Sequence, residues 1–454
     1  MIPRLPLVVV GGGLSGLAAG VHLAAGGVPV LLFEQKPHPG GRAYSFPDAT
    51  TGETIDNGQH VLIHGYAATM RLLETIGTKH LLATQPVPAL VFHHPSRGFR
   101  TFRLPALPPP LHILAGVLGS DLFRLSDRFK LLRAGLSIRR SVGEGERRIA
   151  DLTVAGWLAL MGQSDETIRS FWEPLAVSIM NEHVGSASAL LFVRALRTAF
   201  LEGRTNAALA IPTVGLSELY ADPAREFILR RGGSVRCATR VVKLAASGER
   251  TTGVTLQDGS FIEACAVVLA LPPAESRAVL PDGLTAGNFL AASAAIPFSS
   301  IVSTHLWFER EVMSHDVVGL IGRTTQWVFN RRKLAARGGE GGHVSATISA
   351  AHDVVGRTQE EIVALVMNDL RSAFGKNLPE PWHALVIREK KATFSATPTV
   401  EALRPDQKTP LENLFLAGDW TATGYPATIE GAVISGERCA ALGSDFLRRA
   451  FNVS

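Results

Sequence analysis

Gly11-Gly12-Gly13-Leu14-Ser15-Gly16 is the first stretch of this chain whose residue types and spacing imply chemistry. It fits G-x-G-x-x-G, a loop that brings backbone close to a pyrophosphate. Gly11 permits the tight turn, Gly13 the close approach of phosphate, and Gly16 the packing of the next helix on its sheet. Leu14 and Ser15 open that helix, whose N-terminus offers free N–H groups and a positive dipole end. Glu34 directly follows the next apolar run, where a carboxylate accepts from ribose hydroxyls. A glycine loop alone is a weak signal. This one follows a strand, opens a helix and is closed by an acid, so a bare glycine turn is the poorer reading.

These residues need elements to hold them. Leu5 to Val10 reads as a buried parallel strand, Leu17 to Ala25 as helix and Val28 to Phe33 as a second strand. Near the far end, Asn413 to Ala417 is strand-like and stops at Gly418-Asp419. Thr428 then reads as the N-cap of a helix that begins at Ile429. Ile211 to Arg231 reads as loop then helix, and Gly232-Gly233-Ser234-Val235 turns into a strand. Arg240 to Leu244, Gly253 to Leu256 and Phe261 to Leu269 read as further strands, the last ending at Pro272-Pro273. Residues 1–90, 208–290 and 391–454 are thus expected to form one discontinuous nucleotide domain, and 91–207 with 291–390 a second.

Composition agrees with two large cores: 454 residues, 46% hydrophobic and 19% charged. The net charge of +5 is spread thinly, and no basic stripe with interleaved aromatics points to nucleic acid. The three cysteines, Cys237, Cys265 and Cys439, have no metal-type spacing and suit a reducing compartment. No apolar run approaches the roughly 18 residues of a membrane span. The expectation is a cytoplasmic protein, with peripheral attachment to the inner membrane surface left open. That alternative rests on Leu111 to Arg140, where Leu111, Leu114, Leu118, Leu122, Leu125, Phe129, Leu132 and Leu136 recur at helical spacing among arginines. Such helices lie on a membrane or pack on their own domain, and the second reading is preferred. His60 and His64 stand four apart, as metal ligands on a helix do, but no third ligand is placed and no metal is expected.

Gly40-Gly41-Arg42, shortly after Glu34, turns the nucleotide toward FAD. Here the chain resembles the flavoprotein superfamily of amine oxidases and phytoene desaturases. The resemblance implies an α/β fold, a Rossmann-like FAD-binding domain with an interleaved α+β substrate domain. It also implies that Arg42 pairs with phosphate, that Val241 presents its backbone to adenine, and that Gly418-Asp419 closes over the ribityl chain and pyrophosphate. The Thr428-Ile429 helix would aim its N-terminus at the flavin pyrimidine.

Three segments narrow the likeness: Ile55-Asp56-Asn57-Gly58-Gln59-His60, Phe171-Trp172-Glu173-Pro174-Leu175 with Asn181 beyond it, and Pro426 to Ala432. Together they resemble the hydroxysqualene dehydroxylase family. The resemblance implies reductive loss of an allylic hydroxyl from a long-chain isoprenoid, with Gly58 and Gln59 beside the flavin. Such a reaction needs an acid. His60 is the first candidate because histidine donates near neutral pH, and Glu173 the second if burial raises its pKa. Each has a plainer role open to it: His60 as a hydrogen-bond partner of flavin or backbone, Glu173 as a helix-end or ion-pair residue. The rival readings are a carotenoid-type desaturase, an amine oxidase, and a flavin-free prenyl-lipid chaperone like the GDP-dissociation inhibitors. No second glycine fingerprint names an electron donor.

Overall fold

In a computed structural model, residues 5–281, 290–334 and 340–451 are described. A five-stranded sheet carries the glycine loop. Its order is Ser234–Arg236, Val30–Phe33, Leu7–Val10, Ala266–Leu269, Leu414–Leu416, and every pairing is parallel. The four strands other than Ser234–Arg236 are buried along their whole length, which is why they read as continuous apolar runs rather than alternating ones. The glycine-loop helix, Leu14–Ala25, packs against the C-terminal helix, Ile429–Phe451. Gly436 makes that approach possible, because a Cβ there would lie 2.4 Å from the Ser15 carbonyl oxygen.

Two strand expectations change. Phe261 to Leu269 is two strands. Phe261–Glu263 pairs antiparallel with Arg250–Leu256, whereas Ala266–Leu269 enters the parallel sheet. The chain changes sheets at Ala264 and Cys265, whose N–H groups donate to Thr252 and Pro6 carbonyls. Backbone pairing to two different partners, not side-chain pattern, sets that break. Ile211, expected in a loop, lies in the strand Leu209–Pro212, between Leu62–Ile63 and Leu82–Thr84.

A seven-stranded sheet draws on distant stretches. Its order is His383–Phe394, Phe298–Phe308, Gly342–Ile348, Trp327–Asn330, Val317–Leu320, Ala89–His94, Gly98–Arg103. Side chains alternate between its faces with period two. Val302, Leu306, Val344, Ala346 and Ile348 form a core with Ile362, Val366 and Leu370 of the helix Gln359–Phe374. The opposite face carries Ser303, His305, Trp307, His343, Ser345 and Thr347, all buried as well.

Leu111–Gly119 and Leu125–Arg140 form the expected helices and pack on the body of the protein, as preferred, but not through the recurrent stripe. Leu131, Ala134 and Ile138 face the body of the protein. Most of the recurrent stripe points away from it: Leu111, Leu114, Leu118 and Leu136 are exposed, Leu125 and Phe129 at 72% and 71%. Leu122 alone of the stripe is fully buried. Arg128 closes the first helix by donating to the Leu118 and Ser120 carbonyls, at 2.5 and 2.8 Å. No helix among the described residues is long and apolar enough to cross a membrane.

Gly436→Ala should cost about 1–3 kcal/mol of stability through overpacking against Ser15. Gly135→Ala, in the second helix of the pair with open space around it, should gain up to about 1 kcal/mol from helix propensity. Urea midpoints of the two variants would check the contrast.

Candidate active site

The turn after the first strand is built as a cradle. Gly13 is the N-cap of the glycine-loop helix, and no side chain caps it or places an acid in its first turn. The exposed positive end of that helix is therefore free for an anion. Leu14 and Ser15 begin the helix with buried side chains, so their backbone is what they offer. Gly11 turns against the Ala270 carbonyl, and Gly16 passes under the Gly11 carbonyl. Gly41 crosses directly over Gly13 in a left-handed conformation, φ +64°, where a Cβ would stand 2.9 Å from Gly13 Cα. Glu34 is buried and accepts from Gly12 N at 2.7 Å and Lys36 N at 2.8 Å. Its position beside the loop suits the ribose role. Thr239 N donates to the Glu34 carbonyl, which brings the chain leading to Val241 alongside. The Val241 side chain is itself buried at the start of a strand.

Arg42 joins distant segments. Nη2 donates to Asp419 Oδ1 at 2.7 Å and Nη1 to the Ala392 carbonyl at 2.8 Å. Burial works against the Arg42 charge, but the Asp419 carboxylate outweighs it and the guanidinium pKa is raised. The Gly418-Asp419 turn is held from behind by Arg404, which the sequence reading missed. Arg404 is buried, and Nη2 donates to the Asp419 carbonyl at 3.1 Å, the Thr421 carbonyl at 2.5 Å and Thr423 Oγ1 at 3.0 Å. An arginine among many has no local signature. Thr428 Oγ1 accepts from Gly431 N at 3.1 Å at the start of the C-terminal helix. Ile429 is that helix's first residue, and Glu430 reaches away to accept from Ala68 N and Thr69 N, both at 2.9 Å.

The Asp56–His60 loop lies between these turns and the large sheet. Asp56 accepts from Ser45 Oγ at 2.7 Å and Leu216 N at 2.9 Å. Gln59 Oε1 accepts from Arg331 Nη1 at 2.8 Å. His60 Nδ1 lies 2.7 Å from the Gly58 carbonyl, which only accepts, so Nδ1 carries the proton. Burial, reinforced by the Arg42 charge, holds the His60 pKa below its ordinary value despite Gly58 and Asp56. The resting ring is neutral, with Nε2 bare. His64 bonds elsewhere, to Thr205 Oγ1 at 3.3 Å.

Phe171 and Trp172 anchor the other segment. Phe171 packs edge-on against Phe102 and Phe123, and Trp172 donates to Gln163 Oε1 at 2.8 Å. Glu173 follows, half-buried, and makes no hydrogen bond or ion pair among the described residues. The same helix ends at Asn181, whose side chain does more. Asn181 sits at φ 49°, donates from Nδ2 to Thr393 Oγ1 at 2.9 Å and accepts from Ala350 N at 2.7 Å. It thereby ties this helix to the strand that Arg42 grips.

Residues 14–442 match the family described as flavin containing amine oxidoreductase. The chain belongs to that family. It is 31% identical over 442 residues to a hydroxysqualene dehydroxylase of Sinorhizobium fredii, spanning 96% of this chain and 97% of the relative. Identity to the hydroxysqualene dehydroxylase of Rhodopseudomonas palustris is 30% over 458 residues, again 96% and 97%. The crystal structure of an oxidoreductase from Methanosarcina mazei has the same fold, with TM-score 0.73 at 17% identity over 96% of this chain and 99% of that one. The protein is an FAD-dependent oxidoreductase. The uncapped helix end and the Gly13–Gly41 crossing fit the pyrophosphate of that cofactor.

Burial also keeps the pKa values of His305 and His343 low. With His60, these rings stay neutral when folded but titrate near pH 6.5 when unfolded. The unfolded chain thus binds more protons, so their contribution is whole above about pH 6.5 and is lost as pH falls below it. Thermal midpoints should drop between about pH 7 and about pH 5, and His305→Gln should flatten that slope.

Proposed function

We propose that this protein reductively removes the allylic hydroxyl of hydroxysqualene to give squalene. What carries the reading is a likeness to hydroxysqualene dehydroxylases that spans nearly the whole of both chains. The allylic C–O bond breaks, the oxygen takes a proton and leaves as water, and a hydride replaces it on carbon. Reduced FAD supplies that hydride when bound, held by Gly11, Gly13, Leu14, Ser15, Gly16, Glu34, Gly41, Arg42, Val241, Gly418, Asp419, Thr428 and Ile429 with Gly58 and Gln59 alongside. The cofactor domain comprises 1–90, 208–290 and 391–454, and the substrate domain 91–207 and 291–390.

His60 is the group that hands the proton to the leaving hydroxyl, from Nε2, once that nitrogen has taken up a proton from solvent and the ring has become an imidazolium. Its Nδ1–H bond to Gly58 fixes the ring plane and keeps Nε2 the free nitrogen. Glu173 is the second acid, at the end of its helix opposite Asn181.

A reduced, anaerobic sample mixed with hydroxysqualene should reoxidise its flavin and yield squalene by mass spectrometry. His60→Gln should slow that single turnover by about 10²-fold or more. Bleaching of the oxidised flavin by an amine or by phytoene, with no squalene formed, would overturn the reading.

The substrate is a water-insoluble chain, and the outward Leu111–Leu136 stripe is where it enters. The helix pair lies on the cytoplasmic surface of an anionic membrane, Leu125 and Phe129 in the acyl boundary and Arg124, Arg133, Arg139 and Arg140 among the headgroups. Leu125→Asp with Phe129→Asp should weaken sedimentation with phosphatidylglycerol vesicles by about tenfold or more, and unchanged binding would refute the contact.

A further inference from the structure

Arg331-Arg332-Lys333 is the chain's one run of three consecutive basic residues, and such a run ordinarily lies in solvent. The first two do not. The side chains of Arg331 and Arg332 are only 10% and 18% exposed. Asn330, at the end of the strand Trp327–Asn330, sets the turn that directs them inward. Its Oδ1 accepts from Arg332 N at 3.1 Å and Lys333 N at 3.3 Å, and its Nδ2 donates to the Met313 carbonyl at 2.6 Å.

Both guanidiniums reach one short stretch, Glu53 to Gln59. Arg332 Nη2 donates to Glu53 Oε1 at 2.7 Å. Burial works against the Glu53 charge, but His343 and Arg332 outweigh it and lower the Glu53 pKa to about 2. Arg331 Nη1 donates to Gln59 Oε1 at 2.8 Å, and its Nη2 lies 4.0 Å from Asp56 Oδ2. Ser45 and Leu216 already occupy Asp56 Oδ1, so Oδ2 is the oxygen left to face the guanidinium.

The bond to Gln59 fixes an orientation. A guanidinium only donates, so Gln59 gives Arg331 its oxygen and turns its amide nitrogen the other way. That nitrogen donates to the His60 carbonyl at 3.3 Å. The His60 ring is held separately, by Nδ1–H to the Gly58 carbonyl at 2.7 Å. Two charged groups face the ring: Asp56 from its own loop, which favours the imidazolium, and Arg42 from the turn after Glu34, which opposes it. The large sheet contributes the uncharged Ser303, beside Gly58. Arg331 is the cation set against Asp56, and an adjacent positive charge offsets what a carboxylate does to a nearby imidazole.

We propose that Arg331 is a positioning residue for His60. Through Gln59 it holds the His60 backbone in place, and by offsetting Asp56 it sets the pH at which Nε2 takes up its proton. The lower that pH, the stronger an acid the imidazolium is toward the leaving hydroxyl. Arg331 acts through Gln59 and Asp56 and is not itself catalytic. This inference rests on His60 being the acid of the proposed reaction.

The test uses the full chain with FAD and three variants. Arg331→Gln removes charge and fork together, Arg331→Lys keeps the charge alone, and Gln59→Leu cuts the bond alone. The first readout needs no substrate: the His60 titration midpoint, followed by NMR of histidine-labelled protein, with the signal assigned by its loss in His60→Gln. Arg331→Gln should raise the midpoint by about half a pH unit or more, because a positive charge has gone. Arg331→Lys and Gln59→Leu should leave it at the wild-type value. The second readout is single-turnover flavin reoxidation by hydroxysqualene against pH. All three variants should be slower by about tenfold at their best pH, since each loosens the His60 backbone. The alkaline fall of the rate should move up in pH only in Arg331→Gln, by the same shift as the midpoint. An unchanged midpoint in Arg331→Gln would overturn the proposal, and so would an equal rise in Arg331→Lys, which would mark a structural disturbance. Wild-type rates in Gln59→Leu and Arg331→Lys would overturn the backbone role. A wild-type protein that makes no squalene, with the midpoints moving as expected, would remove the substrate reading and leave the control of His60 standing. Should Arg331→Gln not fold, Arg331→Gln with Asp56→Asn removes both charges; the midpoint should then stay near wild type, and a fall would overturn the offset.

Discussion

The Arg42–Asp419 pair is the contact on which the site depends. One guanidinium joins a turn near the start of the chain, a turn near its end and the edge strand of the large sheet. Its planar fork lets it serve two acceptors in different directions, which a lysine could not reproduce. Arg42 is partly exposed, so the pair adds little to global stability. Its value is geometric. With Arg404 locking the far turn from behind, turns near both ends of the chain are held together.

Two surfaces of the protein invert the ordinary burial rule in opposite senses. On the large sheet, polar side chains at Ser303, His305, His343, Ser345 and Thr347 are inside, several with no hydrogen-bond partner among the described residues. Burying such groups unpaired is costly, and folds retain them mainly where a site uses them. On the helix pair, leucines and a phenylalanine are outside. Apolar residues grouped on a surface mark a contact with something else.

Local necessity explains what was legible in the sequence. The Gly11–Gly16 loop, Glu34, Gly40-Gly41-Arg42 and Gly418-Asp419 are positions where a tight turn, a backbone crossing or a helix end restricts residue type within a few neighbours. Thr428 was legible as a cap for the same reason. The helices around Leu111 to Arg140 were legible as helices because periodicity encodes secondary structure. Which face they bury was not, since an apolar stripe reads alike whether it meets core or membrane.

The sequence by itself therefore determined the nucleotide fold, its glycine cradle and the acid beside it. Tertiary structure alone decided the rest. It split Phe261 to Leu269 between two sheets, placed Arg404 behind the Asp419 turn and set His343 between Glu53 and His305. The Arg404–Asp419 contact spans 15 positions and the His305–His343 contact 38, beyond the reach of a helix or a turn. No local propensity constrains such pairs; they arise only when strands from distant stretches take adjacent places in one sheet.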